Sequence, residues 1–99
     1  MLPPSLRVVA RIVADPAHVA EVRSLLNELI EPTRNEAGCI LYELLQNKSD
    51  PTDFTFVEEW ESDDALDAHA ASAHLRSVSA RLAPLIAAPV DIRRYSVVL

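Results

Sequence analysis

Two histidines in the second half of the chain could carry out proton-transfer chemistry. His69 and His74 lie five residues apart in the pattern His-x-x-Ser-x-His. An imidazole titrates near neutral pH, so His69 could accept a proton from a substrate hydroxyl group or bind that group by a hydrogen bond. An equally good interpretation makes His69 an ordinary helix residue, and His74 is better explained as a surface or capping residue. A spacing of five does not align two rings on one helix face, so the pair does not predict a metal site.

Aromatic and acidic side chains provide three further candidates for a binding site. Trp60 could donate its indole N–H to a substrate oxygen or fill the core at the end of a strand, and we favour a place in the pocket wall. Glu58 falls on the same face of that strand, where a carboxylate needs a cationic partner such as Arg11 or Arg93, or else has a raised pKa; we favour the ion pair. Tyr42 could equally contact a ligand or cross a dimer interface.

The composition excludes several classes of protein. Ninety-nine residues predict a single domain over 1–99. Nine basic and fifteen acidic side chains give a net charge of −6, the wrong sign for binding nucleic acid. No apolar run is long enough to span a membrane and the N-terminus lacks signal-peptide features, so we expect a cytoplasmic protein. Cys39 is the only cysteine, and without zinc-type spacing or a phosphate-binding glycine loop we expect no bound metal, haem or flavin.

Four segments show the alternation of residue types that is typical of β-strands. They span residues 6–14, 39–46, 54–61 and 90–99. The seven residues between the second and third segments, 47–53, are rich in turn-forming types. The second and third strands should therefore pair as an antiparallel hairpin.

Two helical regions separate these strands. Asp15 predicts the start of the first, whose apolar residues recur at spacings of three, four and seven. Pro32 should interrupt this helix, and Gly38, the only glycine in the chain, should end it in a left-handed conformation. The second region should begin at Ser62 and continue as a separate helical segment from about Ser72.

The resulting order β-α-β-β-α-β predicts an α+β protein with the ferredoxin-like fold, in which one four-stranded antiparallel sheet carries the helices on one face. Several strands are apolar on both faces, as Val9 and Val13 show in the first strand. A second copy of the chain should therefore cover the sheet face that has no helices. The sequence predicts a homodimer of the dimeric α+β barrel type.

A set of residues distributed along the chain resembles a known enzyme family. The set comprises Arg11, the segment 33–39, Tyr42-Glu43, Phe54-x-Phe56-Val57-Glu58-x-Trp60-Glu61-Ser62, and His69-x-x-Ser72-x-His74. In order and spacing it resembles the antibiotic biosynthesis monooxygenase family, and most of all its quinol monooxygenase branch, from about Val8 to Val98. The resemblance implies a dimer of ferredoxin-like protomers, each with a pocket between sheet and helices. It also implies oxidation of phenols, quinols or anthrones by dioxygen without a cofactor.

Other branches of that family differ from this chain at their pocket residues. Where its polyketide oxygenases have an Asn and a Tyr, this chain has Phe56 and Leu66. Where its haem-degrading members hold haem with an Asn and a Trp, this chain has Ala10 and His69, so haem degradation is not expected. The candidate catalytic residues are His69 and Trp60. The candidate substrate-binding residues are Tyr42, Phe56, Glu58, Leu66 and His74.

These residues favour a cofactor-independent monooxygenase that oxidises a small aromatic substrate with dioxygen in a largely apolar pocket. The missing Asn and Tyr keep a different class open, a non-catalytic dimer that binds a small molecule or has a regulatory role. An isomerase of a small phosphorylated ligand is a third and weaker alternative.

Overall fold

The computed structural model describes residues 5–99, and this range contains four strands and four α-helices. The strands are β1 (Leu6–Val13), β2 (Cys39–Gln46), β3 (Asp53–Trp60) and β4 (Asp91–Ser96). The helices are α1 (Val19–Asn27), α2 (Ile30–Arg34), α3 (Asp63–Ala70) and α4 (Ala73–Leu82). Residues 1–4, on which the expected absence of a signal peptide depends, lie outside this range. Across residues 5–99, no helix has the length and apolar character needed to cross a bilayer.

The sheet has the strand order β2-β3-β1-β4, and every neighbouring pair is antiparallel. β1 is central because it pairs with both β3 and β4, while β2 and β3 form the predicted hairpin. This order and connectivity confirm the ferredoxin-like α+β fold. β4 is shorter than the predicted strand and ends at Ser96.

Short polar side chains begin the helical regions, as predicted. Asp15 caps a single 3₁₀ turn, Pro16–His18, that precedes α1. Ser62 caps α3 and Ser72 caps α4, each by accepting a backbone N–H from three residues further on. The second cap explains why this region forms two helices with a corner between them.

Pro32 and Gly38 act nearly as predicted, with one correction. The first helical region breaks one turn before Pro32, because proline has no N–H to donate to the carbonyl of Glu28. Gly38 is left-handed, with φ of +83°, but it does not end the helix, since α2 already ends at Arg34. It lies just before β2, where an added Cβ would come within 2.5 Å of the Cβ of Ala65 on α3.

The hydrophobic core lies between the sheet and the helices. Its largest fully buried apolar side chains are Val8, Val22, Leu26, Leu29, Phe54 and Trp60, and each such side chain contributes about 1.5–3 kcal/mol. The opposite face of the sheet exposes apolar side chains at Val9, Leu41, Leu45 and Tyr95. An apolar face of this kind is unfavourable in water, which supports the predicted homodimer. The homodimer itself stays a prediction.

Candidate functional site

A cavity of about 230 Å³ lies between the sheet and the two helices α3 and α4. Most of its wall is apolar. The wall includes five of the seven predicted site residues, namely Tyr42, Phe56, Glu58, Leu66 and His69. The cavity also has the position that the family resemblance implies for a substrate pocket.

Two stacked aromatic rings form part of this wall. The rings of Tyr42 and Phe56 are 4.7 Å apart between centroids and nearly parallel. Tyr42 is only 2% exposed and faces the helices, so its alternative placement across a dimer interface is wrong. Burial raises the pKa of Tyr42 above its usual range, which keeps the hydroxyl protonated and able to donate a hydrogen bond.

His69 brings an imidazole ring to the cavity wall, and such a ring can both donate and accept hydrogen bonds. It is the second-to-last residue of α3 and is 4% exposed. Its Nδ1 lies 2.5 Å from Oε2 of Glu36, and its ring packs against Trp60 at 4.8 Å between centroids. An ionised carboxylate only accepts hydrogen bonds, so in the neutral form of the ring Nδ1 carries the proton and Nε2 has the lone pair. Nε2 is therefore the nitrogen that can accept a proton from a bound molecule.

Glu36 belongs to the candidate site, although the sequence alone assigns it no role. It lies in the loop between α2 and β2, and its partner His69 is 33 residues further along the chain. The close approach of Gly38 to Ala65 brings this loop against α3. The sequence feature that could indicate this contact is Gly38, two residues after Glu36, because a glycine expected to be left-handed marks a turn or a close backbone approach.

Glu58 and Trp60 bond to each other, which corrects both predictions for these residues. The indole N–H of Trp60 donates to Oε1 of Glu58 at 2.8 Å. Trp60 is fully buried and does not line the cavity, so its place in the pocket wall is wrong. The expected ion pair of Glu58 is also wrong, because Arg11 and Arg93 pair with aspartates on the other face of the sheet.

Glu58 lines the cavity with a carboxyl group whose pKa is raised. Burial raises its pKa, although the hydrogen bond from Trp60 and the nearby His69 partly oppose that effect. Glu58 therefore holds its proton to higher pH than an exposed glutamate does. It can serve as a hydrogen-bond donor or acceptor for a bound molecule.

Arg94 lies at the solvent edge of the cavity, between β4 and α3. Its guanidinium group donates to Asp63 and to Asp67 of α3, each at 2.7 Å. Its neighbour Arg93 points to the opposite face of the sheet and bonds Asp91. The alternation expected along this strand is thus observed, and the only arginine in the cavity wall already has two acidic partners.

His74 is not among the residues that line the cavity, and its role as a substrate-binding residue stays a prediction. It is the second residue of α4, and its Nε2 lies 3.5 Å from Oε1 of Glu36. His69 and His74 lie on two different helices, so their spacing in the sequence does not decide how far apart their rings are. The corner between α3 and α4 brings the rings of His69 and His74 to 6.1 Å between centroids.

Comparison with known proteins identifies several relatives. Residues 5–81 match the family described as "Antibiotic biosynthesis monooxygenase". The chain is 34% identical over 85 residues to "Putative monooxygenase Rv0793" of Mycobacterium tuberculosis, covering 86% of this chain and 83% of that protein. It is also 30% identical over 90 residues to "Uncharacterized protein sll1783" of Synechocystis, covering 91% of this chain but only 61% of that protein.

A solved structure gives the same result. The crystal structure of PA3566 from Pseudomonas aeruginosa superposes with a TM-score of 0.93, covers 100% of this chain and 99% of that one, and is 30% identical in sequence. With a family match over most of its length and relatives of this similarity, the chain belongs to the antibiotic biosynthesis monooxygenase family.

Proposed function

We propose that this protein is a cofactor-independent monooxygenase that oxidises a small quinol, phenol or anthrone-like substrate with dioxygen, as a cytoplasmic homodimer. Membership of the family and a relative named a putative monooxygenase support the reaction class. The observation that carries the proposal is the Glu36–His69 pair beside a largely apolar cavity.

His69 is the general base in this proposal. Glu36 accepts a hydrogen bond from the Nδ1–H group, so Nε2 can take the proton of a substrate hydroxyl group. The carboxylate then stabilises the imidazolium that forms, in the same way that an aspartate supports the histidine of a hydrolase triad. Because His69 is 4% exposed, little water competes for this nitrogen.

The deprotonated substrate supplies the electrons for the reaction. An electron-rich phenolate can pass an electron to dioxygen without help from a metal or a flavin. For a hydroquinone, one oxygen atom enters the ring to give a hydroxyquinone and the other leaves as water, with all four electrons coming from the substrate. The protein then has three tasks, which are to bind the substrate, to accept its proton and to exclude water.

The cavity favours a small aromatic ligand. Its volume of about 230 Å³ is below the range of about 300–1,000 Å³ that holds drug-sized molecules, so compact aromatic substrates, up to the size of an anthrone, should fit best. Phe56 offers a stacking surface, while Tyr42 and Glu58 offer hydrogen bonds to substrate oxygens. The pairing of Arg94 with two aspartates disfavours a phosphorylated ligand and hence the isomerase alternative.

An isotope experiment tests the proposal. Hydroquinones, naphthoquinols and anthrones are supplied under oxygen-18 gas while oxygen uptake is followed and the product mass is measured. A monooxygenase should place one labelled atom in each product molecule and the other in water. Ligand binding without oxygen uptake for any compound would instead support the non-catalytic binding protein.

A further inference from the structure

Glu36, His69 and His74 form a cluster of three potential metal ligands. One ligand atom from each residue lies within 4.8 Å of the others. The three side chains come from different elements, namely the loop after α2, the end of α3 and the start of α4. The corner between α3 and α4 thus creates a site that sequence spacing alone argues against.

The donor set suits a divalent transition metal. Two imidazole nitrogens and one carboxylate oxygen are the ligands of many zinc sites, which leave a fourth position for water. Ligand atoms bound to a tetrahedral zinc ion are about 3.4 Å apart, given metal–ligand distances of about 2.1 Å. Glu36 approaches His69 through Oε2 at 2.5 Å and His74 through Oε1 at 3.5 Å, and the ligand atoms of the three residues all lie within 4.8 Å of one another. Side-chain movements of about 1–1.5 Å would bring them to the spacing of a zinc site.

The surroundings support both assembly and access. Ser72, the cap of α4, donates its hydroxyl to the carbonyl of His69 at 2.7 Å and lies 3.3 Å from Nε2 of His74. These contacts hold the two histidine-bearing segments together. The side chains of Glu36 and His74 are 18% and 27% exposed, so an ion can reach the cluster from solvent.

We propose that Glu36, His69 and His74 bind a divalent transition-metal ion of the zinc type, and that the bound ion inhibits the chemistry of His69. The inhibition follows because metal binding at one nitrogen of the His69 ring determines whether the other nitrogen carries a proton. A metal on Nδ1 takes the lone pair of that nitrogen, so the proton of the neutral imidazole must reside on Nε2. Nε2 then has no lone pair with which to accept a substrate proton. This second part rests on the proposed function, whereas metal binding does not.

Metal titration tests the binding part. Chelator-treated full-length protein is titrated with Zn²⁺ by calorimetry and with Co²⁺ by visible absorption. Wild type should bind one equivalent of metal. His74→Ala and Glu36→Gln should each weaken binding by roughly 100-fold, because loss of a residue that only hydrogen-bonds to a metal ligand already weakens binding by about 10–100-fold. His18→Ala is the matched control, because His18 also contacts a glutamate, Glu21, but lies in the 3₁₀ turn before α1 and not in the cluster. The affinity of this variant should equal that of wild type.

Two results would overturn the metal site. One is the absence of stoichiometric binding to folded wild type, and the other is equal affinity in wild type and His74→Ala. Circular dichroism of each variant verifies that a lost signal is not a lost fold. Mg²⁺, which prefers oxygen ligands, should not compete with Zn²⁺.

Oxygen uptake tests the inhibitory part. Zn²⁺ should reduce the wild-type rate at the concentration that fills the site. The His74→Ala variant should need a Zn²⁺ concentration roughly 100-fold higher for the same fractional inhibition, measured relative to its own zinc-free rate. Binding without inhibition would refute the inhibitory role and leave the metal site standing. An inactive wild type would refute the proposed function, while the titration alone would still decide the metal site.

Discussion

Glu36 and His69 meet at 2.5 Å between Oε2 and Nδ1, although 33 residues separate them in the sequence. This contact holds the imidazole by one nitrogen and leaves the other as the possible proton acceptor. The buried ring of His69 also packs between two aromatic neighbours, Trp60 and Tyr42. Its orientation is therefore fixed from several sides.

The first prediction concerns this contact. Glu36→Gln should lower kcat by roughly 10–100-fold, less than the 10²–10⁴-fold that a general base contributes. An amide can present its NH₂ group to Nδ1, which would move the imidazole proton to Nε2 and remove the acceptor. The control is Glu31→Gln, an exposed position on α2. Steady-state oxygen uptake gives kcat, and an unchanged value in Glu36→Gln would refute the role of Glu36.

The fold could be predicted from the sequence because its signals are local. Alternation in the strands, the serine caps and the turn at 47–53 each act over a few residues, and all appear in the structure. The site was less predictable because its decisive contacts are not local. Glu36 reaches His69 across 33 residues, and Trp60 satisfies Glu58 from two positions away, where an arginine was expected. The corner that joins His69 to His74 also depends on tertiary packing.

A second prediction follows from the buried carboxyl group of Glu58. Burial raises its pKa, so above the ordinary glutamate value of about 4.3 the folded protein holds a proton that the unfolded chain releases. Stability is therefore lost as pH rises from that value through the raised pKa. Glu58→Gln stays neutral and keeps an oxygen for the indole N–H, so it should be more stable than wild type by a margin that grows with pH.

Thermal unfolding at several pH values measures this margin. We expect the melting temperatures of Glu58→Gln and wild type to be closest near pH 4 and furthest apart near pH 8. The exposed Glu31→Gln variant is the control. A margin that shrinks or reverses with rising pH would contradict the account of Glu58.

The third prediction concerns the close approach of the loop before β2 to α3. Gly38→Ala should destabilise the protein by roughly 1–3 kcal/mol for the left-handed backbone, and further because its Cβ would lie 2.5 Å from that of Ala65. Ala65→Gly in the same chain should recover part of the loss. A urea double-mutant cycle measures the coupling, and independent effects of the two substitutions would show that this contact is not tight.

A fourth prediction concerns the apolar sheet face. Val9 is 37% exposed at the centre of this face, opposite Val57. If a second copy covers it, wild type should have twice the monomer mass of 10.9 kDa, and Val9→Asp should give the monomer, because it buries a charge at the interface. Ala80→Asp, at an exposed position on α4, should stay dimeric. Light scattering after size exclusion measures the mass, and a wild-type monomer at micromolar concentration would refute the dimer.

The most direct test of the central claim is the rate of oxygen uptake with a small quinol, measured for wild type, His69→Ala and the control His18→Ala. Loss of the base should lower the rate by roughly 10²–10⁴-fold, whereas His18→Ala should keep it, since His18 lies in the 3₁₀ turn before α1 and does not line the cavity. Trp60→Phe keeps a ring but loses the N–H that bonds Glu58, so it should cost less than His69→Ala. Equal rates for wild type and His69→Ala would contradict the claim that His69 accepts the substrate proton.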